Sequence, residues 1–468
     1  VGSLPFFDGS LGSGQLALLG VMLTIALGFE FVNGFHDTAN AVATVIYTKS
    51  LAPRRAVVWS GLCNFAGVYL GGTAVAFSIV HLLPVELLVS VGSGPGMAMV
   101  LALLVSATLW NLGTWYLGLP ASSSHTLIGA ILGVGLANSA LQGRGAGAGV
   151  NWAKAAEVFA SLLISPVLGF CLAALLLLLM KRLIVDPRLY QPPQGDEPPP
   201  TWIRAVLLGT CTGVSLAHGS NDGQKGVGLI MLILIGILPA RYALDPAFGP
   251  QQADRAFQAA GRLEELTRQA PGGDLEGARL TGLLDDMRQT LARAARSAEL
   301  DANERWRVRS DLLRIDGELG QLAHRFDRSD PARRSIEACR AELRRATDYA
   351  PGWVTVAIAC ALGTGTMFGW KRIVVTVGEK IGKAHLTYAQ GAAAEVVAMT
   401  TIGLADFGGL PVSTTHVLSS GVAGTMAAQR SGLQARTVKA ILLAWALTLP
   451  AAMALSAGLF LGFRRVFA

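Results

Sequence analysis

The chain has 468 residues, 52% of them apolar and 15% charged, and a net charge of +7. An ordinary soluble domain is about 25% charged, so this balance excludes that class and points to a multi-span membrane protein. Five scattered cysteines (Cys63, Cys171, Cys211, Cys339 and Cys360) have neither metal-ligand spacing nor a pairing that suggests disulfides.

Taken in chain order, a series of apolar runs reaches about the 20 residues that a helix needs to cross the hydrocarbon core. The first, Gln15–Asn33, has no basic segment before it and runs straight into polar residues, so it is read as a span and not as a cleaved leader. Ala56–Leu83, Met97–Leu117, Ala155–Met180 and Ala205–Leu238 follow, and Trp353–Trp370 and Ala440–Phe463 close the series. Between the fifth and sixth runs lies a polar stretch, Arg241 to Tyr349, with 19 Arg, no Lys and 19 acidic residues. It is nearly neutral, so the whole excess of positive charge belongs to the apolar part. Leu263, Leu266, Leu280, Leu283, Leu284, Met287 and Leu291 recur in it at helical spacing, with breaks at Pro271-Gly272-Gly273 and Asp330-Pro331. Three or four amphipathic helices in a small bundle are expected. Its interleaved acids argue against a nucleic-acid surface. Basic residues in the short loops, among them Lys49, Arg54, Arg55, Lys181, Arg182, Lys371, Arg372 and Lys380, assign those loops to the cytoplasm and the polar stretch to the periplasmic face.

Two polar segments occur twice, in the same order. Gly34-Phe35-His36-Asp37-Thr38-Ala39-Asn40-Ala41 returns in altered form as Gly219-Ser220-Asn221-Asp222-Gly223-Gln224-Lys225-Gly226. Leu119-Pro120-Ala121-Ser122-Ser123-Ser124-His125 returns as Leu410-Pro411-Val412-Ser413-Thr414-Thr415-His416. Asp37 lies 83 positions before Pro120 and Asp222 189 before Pro411, an excess of 106 that the polar stretch nearly accounts for. The expected organisation is therefore a first membrane repeat and linker (1–200), the start of a second repeat (201–240), a soluble helical insert (241–350) and the rest of the second repeat (351–468). Repeated helix-breaking polar segments in an apolar chain mark a substrate site between the repeats of a transporter.

The chemistry of the two segments is complementary. Asp37 and Asp222 are carboxylates within or beside apolar spans, costly unless they meet a cation or hydrogen-bond donors, and they are read as cation or proton sites at broken helices. The plain alternative is a pair of helix caps. Ser122, Ser123, Ser124, Ser413, Thr414 and Thr415 follow a proline, where hydroxyls and free N–H groups at a helix start attract an anion. Two such starts face to face suit a tetrahedral oxyanion. Bare N-caps and small-residue helix contacts are the competing readings. A Ser124–His125 hydrolase is weaker, because adjacent residues rarely align as nucleophile and base and no third group orients them. His125 and His416 either carry protons or brace the hairpins. Glu30, Glu157 and Glu395 are lone acids near or in apolar spans, and for Glu30 and Glu395 a functional role and a structural bond are both open.

At these residues the chain resembles the inorganic phosphate transporter (PiT) family, close to its bacterial low-affinity permeases. Gly34–Thr48, Gly219–Gly226, Gly378-Glu-Lys-Ile-Gly382 and Pro411–Ser419 carry the likeness, which outside the insert covers most of the chain. The resemblance implies an all-α integral membrane protein, an inverted-repeat transporter with about ten to twelve membrane segments. Two of these would be re-entrant hairpins, and the protein a homodimer in the bacterial cytoplasmic (inner) membrane. It implies that phosphate is bound near mid-membrane by Ser123, Ser124, Thr414 and Thr415, with Asn221 and Gln224 beside them. Asp37, Asn40 and Asp222 would handle coupling cations, and Asp37 and Asp222 any metal. No cofactor is expected. In the related permeases phosphate travels as a neutral complex with Mg²⁺ or another divalent metal.

Two departures from the family pattern bear on coupling. His36 and Lys225 each stand where the family usually has Asn. An ammonium in a sodium shell repels Na⁺ and substitutes for it, and histidine exchanges protons near neutral pH. H⁺ coupling is therefore expected in place of Na⁺ coupling. The competing functions are a sulfate permease of the same fold, a Na⁺-coupled phosphate symporter, a lipid phosphatase and a phosphate receptor with the insert as its output module.

Overall fold

The computed structural model describes residues 12–467 apart from 83–93, 144, 146–149, 194, 196, 270–273, 297–299, 324 and 328. Each predicted apolar run is helical over most of its described residues. The first half contains α1 (Ser13–Asp37), α2 (Ala39–Tyr47), α3 (Pro53–Leu70), α4 (Ala74–Val80), α5 (Gly94–Tyr116), α6 (Ser123–Leu141) and α7 (Trp152–Leu183). α8 (Thr201–Ile237) opens the second half. The polar stretch forms α9 (Pro250–Gln269), α10 (Asp274–Ala294), α11 (Ala302–Ala323) and α12 (Pro331–Arg344). The second half resumes with α13 (Gly352–Thr366), α14 (Lys371–Val375), α15 (Tyr388–Phe407), α16 (Thr414–Gln429) and α17 (Ala435–Arg464).

The chain divides into two units, one holding α1–α4, α5 from Met97, α6, α7, most of α8 and α13–α17, the other taking in Gly94–Gly96 and Met231–Ala350. In the second unit, Phe248, Leu284, Met287, Leu312, Ile315, Ile336 and Leu343 form a core of their own. Asp330 caps α12 by accepting from Ala332 N at 2.7 Å, with Pro331 in the first turn, so the sequence break at Asp330-Pro331 is a helix start. The break at Pro271-Gly272-Gly273 and the side chains of Leu263, Leu266 and Leu280 lie outside the described residues. Burial raises the Asp316 carboxyl in α11, but the guanidiniums of Arg340 and Arg344, 3.0 and 2.9 Å away, outweigh it and hold the group below its ordinary range.

In the first unit each half contains one bent helix pair. A bend of 78° joins α3 to α4, and one of 55° joins Gly352–Thr366 to Lys371–Lys380. The helices that follow the two proline segments pack reciprocally, α6 of the first half on α17 of the second and α16 of the second on α7 of the first. Small residues make both crossings possible. A Cβ on Gly133 in α6 would collide with the Met453 carbonyl of α17, and one on Gly424 in α16 with the Phe170 carbonyl of α7. Close backbone approach between membrane helices replaces the hydrophobic drive that water supplies elsewhere.

Among the described residues, five helical stretches are long and apolar enough to cross a membrane, or seven if each bent pair is one span. α8 and α15 fall outside that set. Both carry fully buried polar groups, including Asn221 and Asp222 in α8 and Glu395 in α15. One expectation is corrected for the second octet alone. The first octet does sit at a helix break, with α1 ending at Asp37 and α2 starting at Ala39, whereas Asp222 lies inside the unbroken α8. Asp222 finds its partners in Lys225 on its own helix and in Ser123 of α6, so the backbone there has no need to open.

Candidate functional site

Both proline segments end in the same cap. Ser122 Oγ accepts from His125 N at 3.2 Å and Ser413 Oγ from His416 N at 3.1 Å, which makes these serines the N-caps of α6 and α16. The bare-cap reading therefore describes Ser122 and Ser413. The next two residues, Ser123 and Ser124 in α6 and Thr414 and Thr415 in α16, occupy the first turn, and their hydroxyls point elsewhere.

Those hydroxyls meet the octets. Thr415 Oγ1 donates to Asp37 Oδ1 at 2.7 Å. Ser123 Oγ lies 3.2 Å from Oδ2 of both Asp37 and Asp222, so its single proton serves one carboxylate at a time. Asn40 Nδ2 donates to Thr414 Oγ1 and Thr415 Oγ1 at 3.1 and 3.0 Å. Lys225 Nζ is 2.7 Å from Asp222 Oδ1 and donates to Ser124 Oγ at 2.5 Å, while Ser124 Oγ donates to Val412 O of the opposite hairpin at 2.9 Å. All of these side chains are buried. His36, next to Asp37 in the first octet, links the group to α5: its Nδ1 is 3.1 Å from Asp37 Oδ1, and its Nε2 is 3.1 Å from Thr114 Oγ1.

The remaining candidates lie at the edge. Asn221 Nδ2 donates to Leu410 O at 3.2 Å, so it touches the second hairpin through its backbone. Gln224 is engaged by Val75 N at 2.8 Å and by Asp406 Oδ1 at 2.7 Å. Glu30 accepts from Asn33 at 3.3 Å and lies against Gly226; Glu395 accepts from Thr44 and Thr210. His125 and His416 face each other with ring centroids 4.5 Å apart, and His416 stacks on Trp445 at 4.0 Å.

His218 was missed in the sequence, although it lies one turn before Asp222 on the same helix face, the signal that could have revealed it. Its Nε2 is 3.7 Å from Asp37 Oδ2 and 3.8 Å from Asp222 Oδ2. Asn64 Nδ2 donates to Thr366 Oγ1, which turns Asn64 Oδ1 toward His218 Nδ1 at 2.9 Å. A neutral ring then carries its proton on Nδ1 and aims the Nε2 lone pair at two carboxylates. A proton or a metal cation would complete that arrangement. One donor atom each from Asp37, His218 and Asp222 lies within 4.8 Å of the others. This mixed nitrogen and oxygen set suits a borderline divalent metal better than Mg²⁺, which favours oxygen ligands and retains water.

Two hydroxyl-bearing helix starts, brought by opposite halves of a membrane protein onto buried charges, define a polar site of the kind that transporters of charged solutes build. The sequence profile of the phosphate transporter family matches residues 33–456, and the chain belongs to that family. It is 42% identical over 480 residues to the low-affinity inorganic phosphate transporter PitB of Escherichia coli (strain K12), covering 94% of this chain and 96% of the relative. Against PitA of the same strain the identity is 41% over 493 residues, with 98% of each chain covered. A probable low-affinity inorganic phosphate transporter of Bacillus subtilis (strain 168) is 28% identical, over 94% of this chain and 96% of the relative. Among solved structures, a sodium-dependent phosphate transporter shares the fold with a TM-score of 0.54 and 22% identity, over 96% of this chain and all of the other.

Proposed function

We propose that this protein is a secondary active transporter of inorganic phosphate, driven by H⁺ symport, in the bacterial inner membrane. The observation that carries the reading is the convergence of Ser123 and Thr415 on Asp37, with Lys225 paired to Asp222 beside them. Helix starts and an ammonium favour an anion, whereas two carboxylates oppose it. Phosphate therefore enters with compensation, either a proton on the Asp37, Asp222 and His218 cluster or a divalent cation such as Mg²⁺ travelling with it as cargo. On entry, the hydroxyls of Ser123, Ser124 and Thr415 exchange their present acceptors for phosphate oxygens, and the Thr414 hydroxyl, which accepts from Asn40, donates to another. Monohydrogen phosphate also offers a P–O–H to a carboxylate, which sulfate at neutral pH cannot, and this favours phosphate over sulfate.

Lys225 supports H⁺ over Na⁺, since a fixed ammonium 2.7 Å from Asp222 occupies the electrostatic place of a sodium ion. The reciprocal packing of α6 on α17 and of α16 on α7 supports an inverted repeat; ten to twelve membrane segments and a homodimer complete the reading. The basic loops then face the cytoplasm.

The test is uptake of labelled phosphate by proteoliposomes, with and without Mg²⁺. Uptake that survives replacement of Na⁺ by choline and collapses with a protonophore supports the reading; strict dependence on Na⁺ overturns the coupling. Equal competition by sulfate overturns the substrate. Wild-type uptake by both Asp37→Asn and Asp222→Asn overturns the site.

A further inference from the structure

The Gly378-Glu-Lys-Ile-Gly382 segment supplies none of the hairpin contacts described above. Its Lys380 instead borders a cavity of about 670 Å³ shared with Trp115, Tyr116, Trp370, Lys371 and Arg372. Three cations line this space and no acid does. The adjacent acid, Glu379, is occupied elsewhere, accepting from Tyr47 Oη at 2.7 Å. Lys371 and Lys380 are exposed.

The walls are fixed by named contacts. Arg372 donates to Tyr116 O at 2.7 Å, and its guanidinium lies 5.2 Å from the Trp115 ring centroid and 4.8 Å from that of Tyr116. Trp115 Nε1 donates to Gly369 O at 2.7 Å, and Thr376 Oγ1 to Gly118 O at 2.8 Å. The end of α5 is thus fastened to the start of α14. Aromatic and basic residues at the end of an apolar span are the residues that sit at lipid headgroup level. A net charge of about +3 held against indole and phenol rings selects an oxyanion with apolar surroundings.

We propose that this cavity binds a phosphate group, either as the headgroup of an anionic phospholipid or as inorganic phosphate; the second source rests on the transport reading above. The cavity is coupled to the hairpin cluster. Trp115 packs on Phe35 with ring centroids 5.0 Å apart, and Thr114 and His36, the neighbours of that pair, are hydrogen-bonded at 3.1 Å. An anion drawn to Arg372 competes with the Trp115 face and so acts one residue away from His36.

The experiment uses the full chain in nanodiscs of phosphatidylcholine alone or mixed with phosphatidylglycerol. Retained lipid is counted by native mass spectrometry, and labelled inorganic phosphate is titrated in the pure phosphatidylcholine discs. Lys371→Gln/Lys380→Gln is compared with wild type and with Lys371→Arg/Lys380→Arg, which keeps the charge. Retention of phosphatidylglycerol falling about tenfold in the Gln pair, with the Arg pair near wild type, identifies the lipid source. Loss of one of two phosphate-binding phases in pure phosphatidylcholine identifies the free anion. A Gln pair that matches wild type in both arms overturns the proposal. Wild-type protein that retains phosphatidylglycerol through these lysines but binds no labelled phosphate leaves the cavity standing and removes the transport reading.

Discussion

Lys225 Nζ stands 2.7 Å from Asp222 Oδ1, three residues apart on α8, and each side chain is only 1% exposed. A buried pair of this kind is costly to break, because removing one partner strands the other charge in a medium that cannot solvate it.

Lys225→Gln is accordingly expected to destabilise the protein by about 3–5 kcal/mol, the usual penalty for orphaning a buried charge. Adding Asp222→Asn should recover a large part of the loss, since neither charge then remains. Thermal unfolding in detergent reads both. A double variant as unstable as the single one refutes the pairing.

In the first turn of α16, Thr415→Val keeps shape and removes the hydroxyl that reaches Asp37. A lost hydrogen bond to a charged group costs about 1.5–3 kcal/mol, so phosphate KM should rise about 10- to 150-fold. Ser413→Ala should act differently, weakening the α16 cap by about 1 kcal/mol with a smaller change in KM. Kinetics of labelled uptake for the two variants separate contact from scaffold; equal KM changes would merge the two roles.

Gly133→Ala tests the crossing of α6 and α17. The new methyl meets the Met453 carbonyl, a backbone atom that cannot swing aside. Overpacking of this sort costs about 1–3 kcal/mol. Gly143→Ala, at a site with no atom within 4 Å of an added Cβ but with φ of +66°, pays only a local backbone strain. A lower unfolding temperature for Gly133→Ala, together with impaired uptake, is expected.

The polar bundle has its own pH dependence. The Asp316 carboxyl is held below its ordinary range in the folded state, so it binds its proton later there than in the unfolded chain. Its contribution to stability is therefore complete above the unfolded value of about 3.9 and is lost as pH falls through the folded value. Hydrogen exchange in α11 and α12, corrected for intrinsic rates, should hold steady from neutral pH to about 5 and weaken below about 4. Asp316→Asn should flatten that profile and lower protection at neutral pH.

Much of the site could be read from the sequence because its residues come in copies. The two octets and the two proline segments name Asp37, Asp222, Lys225 and the four first-turn hydroxyl residues, and all of them meet. His218 has no counterpart in the first octet, and its role depends on Asn64 and Thr366, which reach it from other helices. Asp406 likewise became visible only when α15 came to rest beside Gln224. Helix positions were legible from apolar run length. The continuity of α8 through Asp222 was not, because Asn-Asp-Gly reads locally as a turn and only its buried partners stabilise it as helix.

The reciprocal packing of α6 and α17 also sets an order of assembly. A ribosome finishes α6 roughly 300 residues before it starts α17, and such non-local contacts close late in folding. Throughout that interval the small-residue face of α6, with Gly133 at its centre, has no mate of its own chain. The nascent first half must therefore be sheltered by lipid or by the insertion machinery until the last helix arrives. A chain truncated before Ala435 would lose far more than one span: it would leave the start of α6, which carries Ser123 and Ser124, without its backing.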